Sequence, residues 1–218
     1  MKHLVGIIFL FFSTITLQYG QYTAAKDSDP EALALLKNAG DKMSGKNTQV
    51  NFSLKLSYPG QEGHPDVGTL YQSGTSYRLD LVDYSIISDG KTRWVYLKPQ
   101  NEVNIYNESQ GQDWLSPTDF LQLHKAEDLV FVLAGTKADG SSIVEAKPLK
   151  GRFDSYSKFT INVKNGMLSS IKALSRDGTK QEMYIGTVTH PATFDSARLF
   201  TFNKSQYPGV YVEDLRLD

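Results

Sequence analysis

From Asn51 onward the chain alternates side-chain type at nearly every position. Phe52, Leu54, Leu56 and Tyr58 are separated by Ser53, Lys55 and Ser57. This is the period of two expected of a strand with one buried face. The same alternation predicts strands over 67–72, 76–82, 84–88, 92–97 and 103–105, with Tyr77, Leu79 and Leu81 sharing one face. It returns at Phe159, Ile161 and Val163, then over 168–174 and 181–189. Asp89-Gly90, Asn165-Gly166 and Asp177-Gly178 punctuate these runs, and such pairs favour tight hairpins because they tolerate positive φ. The second half therefore predicts a meander of sequential antiparallel neighbours. Phe200 and Phe202 are expected on a late strand, with another at 210–212 after Tyr207-Pro208-Gly209.

Two stretches keep a helical period instead. Asp29-Pro30 reads as an N-cap followed by proline at the first helical position, with Glu31 in the first turn. Leu33, Leu36, Gly40 and Met43 then follow helical spacing, Leu35 widens the stripe, and Gly45 is a stop. Ser116-Pro117 opens a second short helix running through Phe120, Leu121 and Leu123. The fold class that follows is mainly β (α+β): one strongly curved antiparallel sheet with two or three short helices. Its apolar face must be covered by closure of the sheet, by helices packed inside the curve, or by both.

The amino terminus stands apart. Met1-Lys2-His3 is a short basic start, and the run from Leu4 to Leu17 carries no charge. At 1.5 Å per residue that run is short for a ~30 Å hydrocarbon core and suits the apolar core of a secretory signal. Small residues suited to cleavage follow at Gly20 and at Thr23-Ala24-Ala25. The expectation is a signal peptide over 1–20, with cleavage as late as residue 25, and export of the rest. No repeat or linker divides 21–218, so one domain is expected there.

Composition narrows the chemistry. The chain of 218 residues has no cysteine, which excludes disulfides, thiolate metal sites, a thiol nucleophile and acylation on cysteine. Lys+Arg 23 against Asp+Glu 24 leaves a net charge of −1 and no excess of basic residues for phosphates, so no nucleic acid is expected. His64, His124 and His190 have no paired metal-ligand spacing, and neither H-E-x-x-H nor G-x-S-x-G occurs. Gly90-Lys91-Thr92 looks like the end of a phosphate-binding loop, but Ser85 stands where that motif needs glycine and a strand follows. Asp89 and Asp177 read as turn residues. Two Trp, 12 Tyr and 11 Phe are enough for sugar-stacking platforms, yet aromatics at alternate strand positions more often pack a core.

Several motifs in order carry a resemblance. Gly68-Thr69-Leu70-Tyr71 lies on one strand. Ser88-Asp89-Gly90 turns into Trp94-Val95-Tyr96, and Ser116-Pro117 starts the second helix. Lys158-Phe159-Thr160-Ile161-Asn162-Val163 precedes a hairpin, and Phe200-Thr201-Phe202 leads to Pro208-Gly209-Val210. Together they resemble the outer-membrane lipoprotein carrier (LolA-like) family over the whole exported chain. The resemblance implies an incomplete β-barrel with a lid of short helices over an apolar cavity for acyl chains. It also implies a periplasmic carrier, not an enzyme, without cofactor or metal. Its partners would be lipoprotein acyl chains, an inner-membrane lipoprotein-releasing transporter and an outer-membrane lipoprotein acceptor, with the carrier itself a monomer. That acceptor is anchored through a lipidated cysteine, which this chain lacks.

The wall candidates are Leu33, Leu36, Met43, Tyr77, Leu79, Leu81, Ile86, Phe120, Leu121 and Leu123. One departure concerns an Arg-Pro pair whose arginine holds lid carbonyls in better-studied members. Gly74-Thr75 stands at the aligned place, and the nearby Arg78 falls on the face opposite Tyr77 and Leu79. The alternatives are a periplasmic lipid- or lipoprotein-binding sensor or regulator on the same fold, and a secreted glycan hydrolase with two cleft carboxylates.

Overall fold

The computed structural model describes residues 24–110, 121–149 and 151–217. The signal segment and the start of the expected second helix, with Phe120, lie outside the described residues. The described residues form one sheet of twelve strands. In chain order these are β1 (Asn47–Ser57), β2 (Pro65–Ser73), β3 (Ser76–Asp80), β4 (Tyr84–Ser88), β5 (Thr92–Leu97) and β6 (Glu102–Asn107). They continue with β7 (Leu129–Thr136), β8 (Ser142–Pro148), β9 (Tyr156–Lys164), β10 (Met167–Ser175), β11 (Lys180–Thr189) and β12 (Tyr211–Asp214). The order across the sheet is β12-β6-β5-β4-β3-β2-β1-β11-β10-β9-β8-β7, and the two ends do not join.

Two antiparallel meanders make up this sheet. The first runs outward from β1 to β6. The second starts at the opposite edge with β7 and works inward until β11 pairs with β1. The connection from β6 to β7 therefore carries the chain from one edge of the sheet to the other. The turns are those the dipeptides predict. Asn165 and Gly166 sit at φ 54° and 71° between the paired Lys164 and Met167, and Gly90 and Gly178 also have positive φ. Asp89 Oδ1 accepts from the backbone N–H groups of Lys91 and Thr92, so Gly90-Lys91-Thr92 is a hairpin corner. Gly74 has φ 59° in the β2–β3 corner. The space beside Gly74 is open, so an arginine there would meet backbone strain and no steric clash.

Strand alternation sorts side chains onto two faces. The inner face carries Val50 and Phe52, Leu70, Leu79 and Ile86. It continues through Met183, Ile171, Ile161, Phe159, Val144, Ala146 and Phe131, all within one buried cluster. Gly68 explains its place in the motif: a Cβ there would stand 2.5 Å from Phe52 Cζ and 2.8 Å from Leu81 Cδ2. Phe52 thus lies over the glycine.

Helix α1 (Pro30–Met43) packs against β7, β9 and β10 through Ala32, Leu36, Ala39, Gly40 and Met43. Fully burying a side chain such as Leu36 is worth about 1.5–3 kcal/mol. The residues just before α1 also close the β7 edge. Ser28 Oγ accepts from Phe131 N–H, Asp29 N–H donates to Phe131 C=O, and Asp29 Oδ2 accepts from Leu133 N–H. Asp29 Oδ1 meanwhile caps the helix by accepting from Glu31 N–H at 2.9 Å. The opposite edge ends in the short β12, parallel to β6, whose exposed Glu213 and Asp214 discourage further pairing.

Two expectations are corrected. Phe200 and Phe202 do not form a strand. Phe200 follows the short helix α2 (Ser196–Leu199), which Asp195 caps by accepting from Arg198 N–H, and both rings pack against other aromatics. Strands β7 and β8 were not delimited by the pattern. Leu129-Val130-Phe131-Val132-Leu133 is apolar throughout, because Val130 is buried on the other side of the sheet as well, so no alternation shows.

The double use of Asp29 makes a test. Asp29→Ala removes the helix cap and leaves Leu133 N–H without its acceptor. We expect a loss of about 1–2 kcal/mol, read as a lowered urea midpoint.

Candidate functional site: the inner face

The candidate wall residues divide by their position in the fold. Leu36, Met43, Tyr77, Leu79, Leu81, Ile86 and Leu123 are buried and belong to the single inner cluster. Leu121 is half-buried against it. Leu33, at 38% exposed, lies outside the buried stripe of α1, whose inward residues are Ala32 and Leu36. The register shows why the sheet residues meet. Leu79 pairs with Leu70 on one side and with Ile86 on the other, and Ile86 pairs with Val95.

The β6–β7 connection contributes to this face through its last residues. Its described end, the 3₁₀ turn Leu123–Lys125, places Leu123 in the inner cluster beside α1. His124 lies against Gly40 of α1, where a Cβ would stand 2.7 Å from both Cε1 and Nε2 of the ring. A side chain at position 40 would compete with the imidazole for that space. Two open hollows, of about 510 and 640 Å³, lie elsewhere, and none of the nine described wall candidates lines either of them.

Beyond Ile86 the inner face turns polar. Ser88 and Arg93 are paired on β4 and β5, and both are buried. Glu108, just past β6, accepts from Tyr77 Oη at 3.1 Å and from Ser88 Oγ at 2.7 Å. Arg93 Nη1 lies 4.0 Å from Glu108 Oε1, and both terminal nitrogens donate to the carbonyl of Gln110 at 3.3 Å. The guanidinium also stands over Tyr106, 5.3 Å from its centroid. Nearby, Asn104 Oδ1 is buried with no donor among the described residues. Tyr77, expected as plain apolar wall, therefore joins the apolar stretch to this polar end through its hydroxyl.

Arg93 was missed by sequence reasoning. Its signal was only alternation: Arg93 and Val95 share a face, as Trp94 and Tyr96 share the other. Arg78 is placed on the outer face, as alternation predicts, with its Nε bonded to both carboxylate oxygens of Asp80 at 3.0 and 2.8 Å. The arginine that holds a backbone carbonyl on the inner side, at the start of the β6–β7 connection, is Arg93 and not Arg78.

Among the described residues no three His, Asp or Glu side chains gather as a metal-binding group. Tyr84, half-buried at the rim, has its phenol pushed up to about 12, first by burial and then by the nearby Asp66 charge.

No protein-family model matches this chain, and no curated protein does. Solved structures do resemble it. A DUF1329 family protein from Desulfovibrio piger aligns over 83% of this chain and 100% of its own, at 16% identity and TM-score 0.47. A LolA superfamily protein from Nitrosomonas europaea aligns over 78% and 97%, at 13% identity and TM-score 0.42. A candidate outer membrane lipoprotein-sorting protein domain from Vibrio parahaemolyticus aligns over 77% and 95%, at 10% identity and TM-score 0.44.

His124 gives this region a pH dependence. Burial first, then repulsion from Lys125, holds its imidazole below the ordinary histidine value, against the attraction of Asp41; Lys37 adds a smaller repulsion. The folded chain thus takes up this proton less readily than the unfolded chain. Stability falls as pH drops through the unfolded value, about 6.5, toward the lower folded value. We expect His124→Gln to lose less stability than the unsubstituted protein between neutral pH and pH ~5, measured as the change in urea midpoint.

Proposed function

We propose that this chain is an exported periplasmic carrier. It takes lipoprotein acyl chains onto its inner face and moves them from an inner-membrane releasing transporter to an outer-membrane acceptor. The observation that carries this reading is the division of the inner face. Leu70, Leu79, Leu81 and Ile86 form an apolar stretch on β2–β4 and the residue after β3, across the β1/β11 junction from the strands on which α1 packs. Ser88, Arg93 and Glu108 follow it directly. A lipoprotein terminus has the same order, apolar tails followed by ester and amide groups.

The energetics favour a reversible carrier. Each CH₂ removed from water is worth roughly 0.8 kcal/mol, so several acyl chains in water are strongly unfavourable. A face that holds the tails by contact alone offsets that penalty without a covalent step, and a tighter acceptor then withdraws them. Seating the tails requires α1 and the Leu121 and Leu123 side chains to move off the inner cluster. Arg93 steadies the other described end of the β6–β7 connection, since it holds Gln110. Leu123 and His124 hold its end against α1 and the core. No cofactor is needed. The signal-like amino terminus and the ordered motifs support export and the carrier role.

Depletion tests the reading in the cell. Without the protein, outer-membrane lipoproteins should accumulate in the inner membrane, seen by membrane fractionation and immunoblotting. Normal sorting after complete depletion would contradict it.

A further inference from the structure

The outer face carries a second feature that acyl-chain carriage does not use. The chain after β11 crosses back over the convex side of β2–β5 and is fixed there by rings. Tyr71 meets Phe194 edge-on at 5.9 Å, and Phe194 meets Phe200 at the same distance. Tyr207 stacks on Phe202 at 4.8 Å and meets Tyr96 at 4.6 Å. Between this strap and the sheet lies the hollow of about 510 Å³, within the usual range of ligand sites of about 300–1,000 Å³. Tyr71, Arg78, Asp80, Asp195, Arg198 and Tyr207 line it.

The lining is polar, balanced in charge and already held in place. Tyr71 and Arg78 are direct cross-strand partners, and Asp80 lies two residues further along the same face. Asp80 fixes Arg78 through Nε, and the Tyr207 side chain hydrogen-bonds the same guanidinium. Asp195 Oδ1 is used by the backbone of Arg198. The Arg198 guanidinium has no hydrogen-bond or ion-pair partner among the described residues.

We propose that this hollow binds a neutral carbohydrate. Two arginines argue against a cation and two aspartates against an anion. A ligand that suits all four must donate and accept hydrogen bonds at once, as neighbouring sugar hydroxyls do. They donate to carboxylates and accept from guanidinium forks. Tyr71, held edge-on against Phe194, supplies apolar ring surface for the C–H side of a sugar, and the Tyr207 hydroxyl beside Arg78 adds a polar edge. The proposal concerns binding only and is independent of the carrier function, because the hollow and the acyl-chain face lie on opposite sides of the sheet.

The test is an amide NMR titration of the purified protein with four neutral tetrasaccharides: chitotetraose, cellotetraose, maltotetraose and mannotetraose. Saturable shifts with at least one of them, concentrated at Tyr71, Arg78, Arg198 and Tyr207, are expected. Arg198→Ala, a change at an exposed position, should weaken that binding about tenfold while leaving the rest of the spectrum in place. No saturable shift with any of the four would overturn the proposal, as would binding that Arg198→Ala does not weaken. Saturation at the same residues by inorganic phosphate or acetate alone would also overturn it, in favour of an anion site.

Discussion

An open sheet of twelve strands has an apolar face that nothing closes by itself, and two edges of unpaired backbone groups. The rest of the molecule answers those two problems. Helix α1 covers the β7–β10 side of the inner face, and the residues that start the helix also seal the edge. Ser28 and Asp29 supply an oxygen or an N–H to each of three β7 backbone groups, while the other Asp29 oxygen caps α1. Helix and edge are thereby tied to one another at a single residue. The far edge ends in a four-residue strand with two acidic side chains, which gives a further strand little to pair with.

The same constraint makes the β6–β7 connection matter. Because the two meanders meet at β1 and β11, the connection has to traverse the sheet. It starts under the grip of Arg93 on Gln110 and ends with Leu123 in the core. Both described ends of the connection are thereby fixed, the first by hydrogen bonds and the second by burial. In the proposed carrier the sheet supplies the surface, and the packing of α1 and Leu123 sets how readily it is uncovered. The outer face is organised differently, with an aromatic strap fixed over strands β2 to β5 and a polar hollow beneath it. A single pleated layer thus separates two environments, because successive side chains point to opposite sides.

Much of this was legible in the chain. Asp29-Pro30 marked the start of α1, and Asn165-Gly166 and Asp89-Gly90 marked corners that the backbone angles bear out. The inward set Tyr77, Leu79 and Leu81 followed from alternation alone. What stayed hidden depends on pairing distant in sequence. Glu108 reaches Tyr77 across 31 residues and Ser88 across 20 only because β3 to β6 lie side by side. The second role of Asp29 requires β7, about a hundred residues away, whose unbroken apolar run conceals its period. Phe200 and Phe202 alternate as a strand would, but their rings find partners on the strap and not in a ladder. The place of the family's arginine was also misleading from sequence alone. The positive φ of Gly74 disfavours an arginine at the aligned corner, and the arginine that holds a backbone carbonyl on the inner face, Arg93, is on another strand.

The central claim is that the inner face holds acyl chains. Native mass spectrometry of the protein purified from its own periplasm tests it most directly. The account predicts a bound population whose added mass is a lipid or an acylated peptide, lost on delipidation and restored by adding a triacylated peptide. A protein that is always empty, and that takes up no acylated peptide after purification, would contradict it.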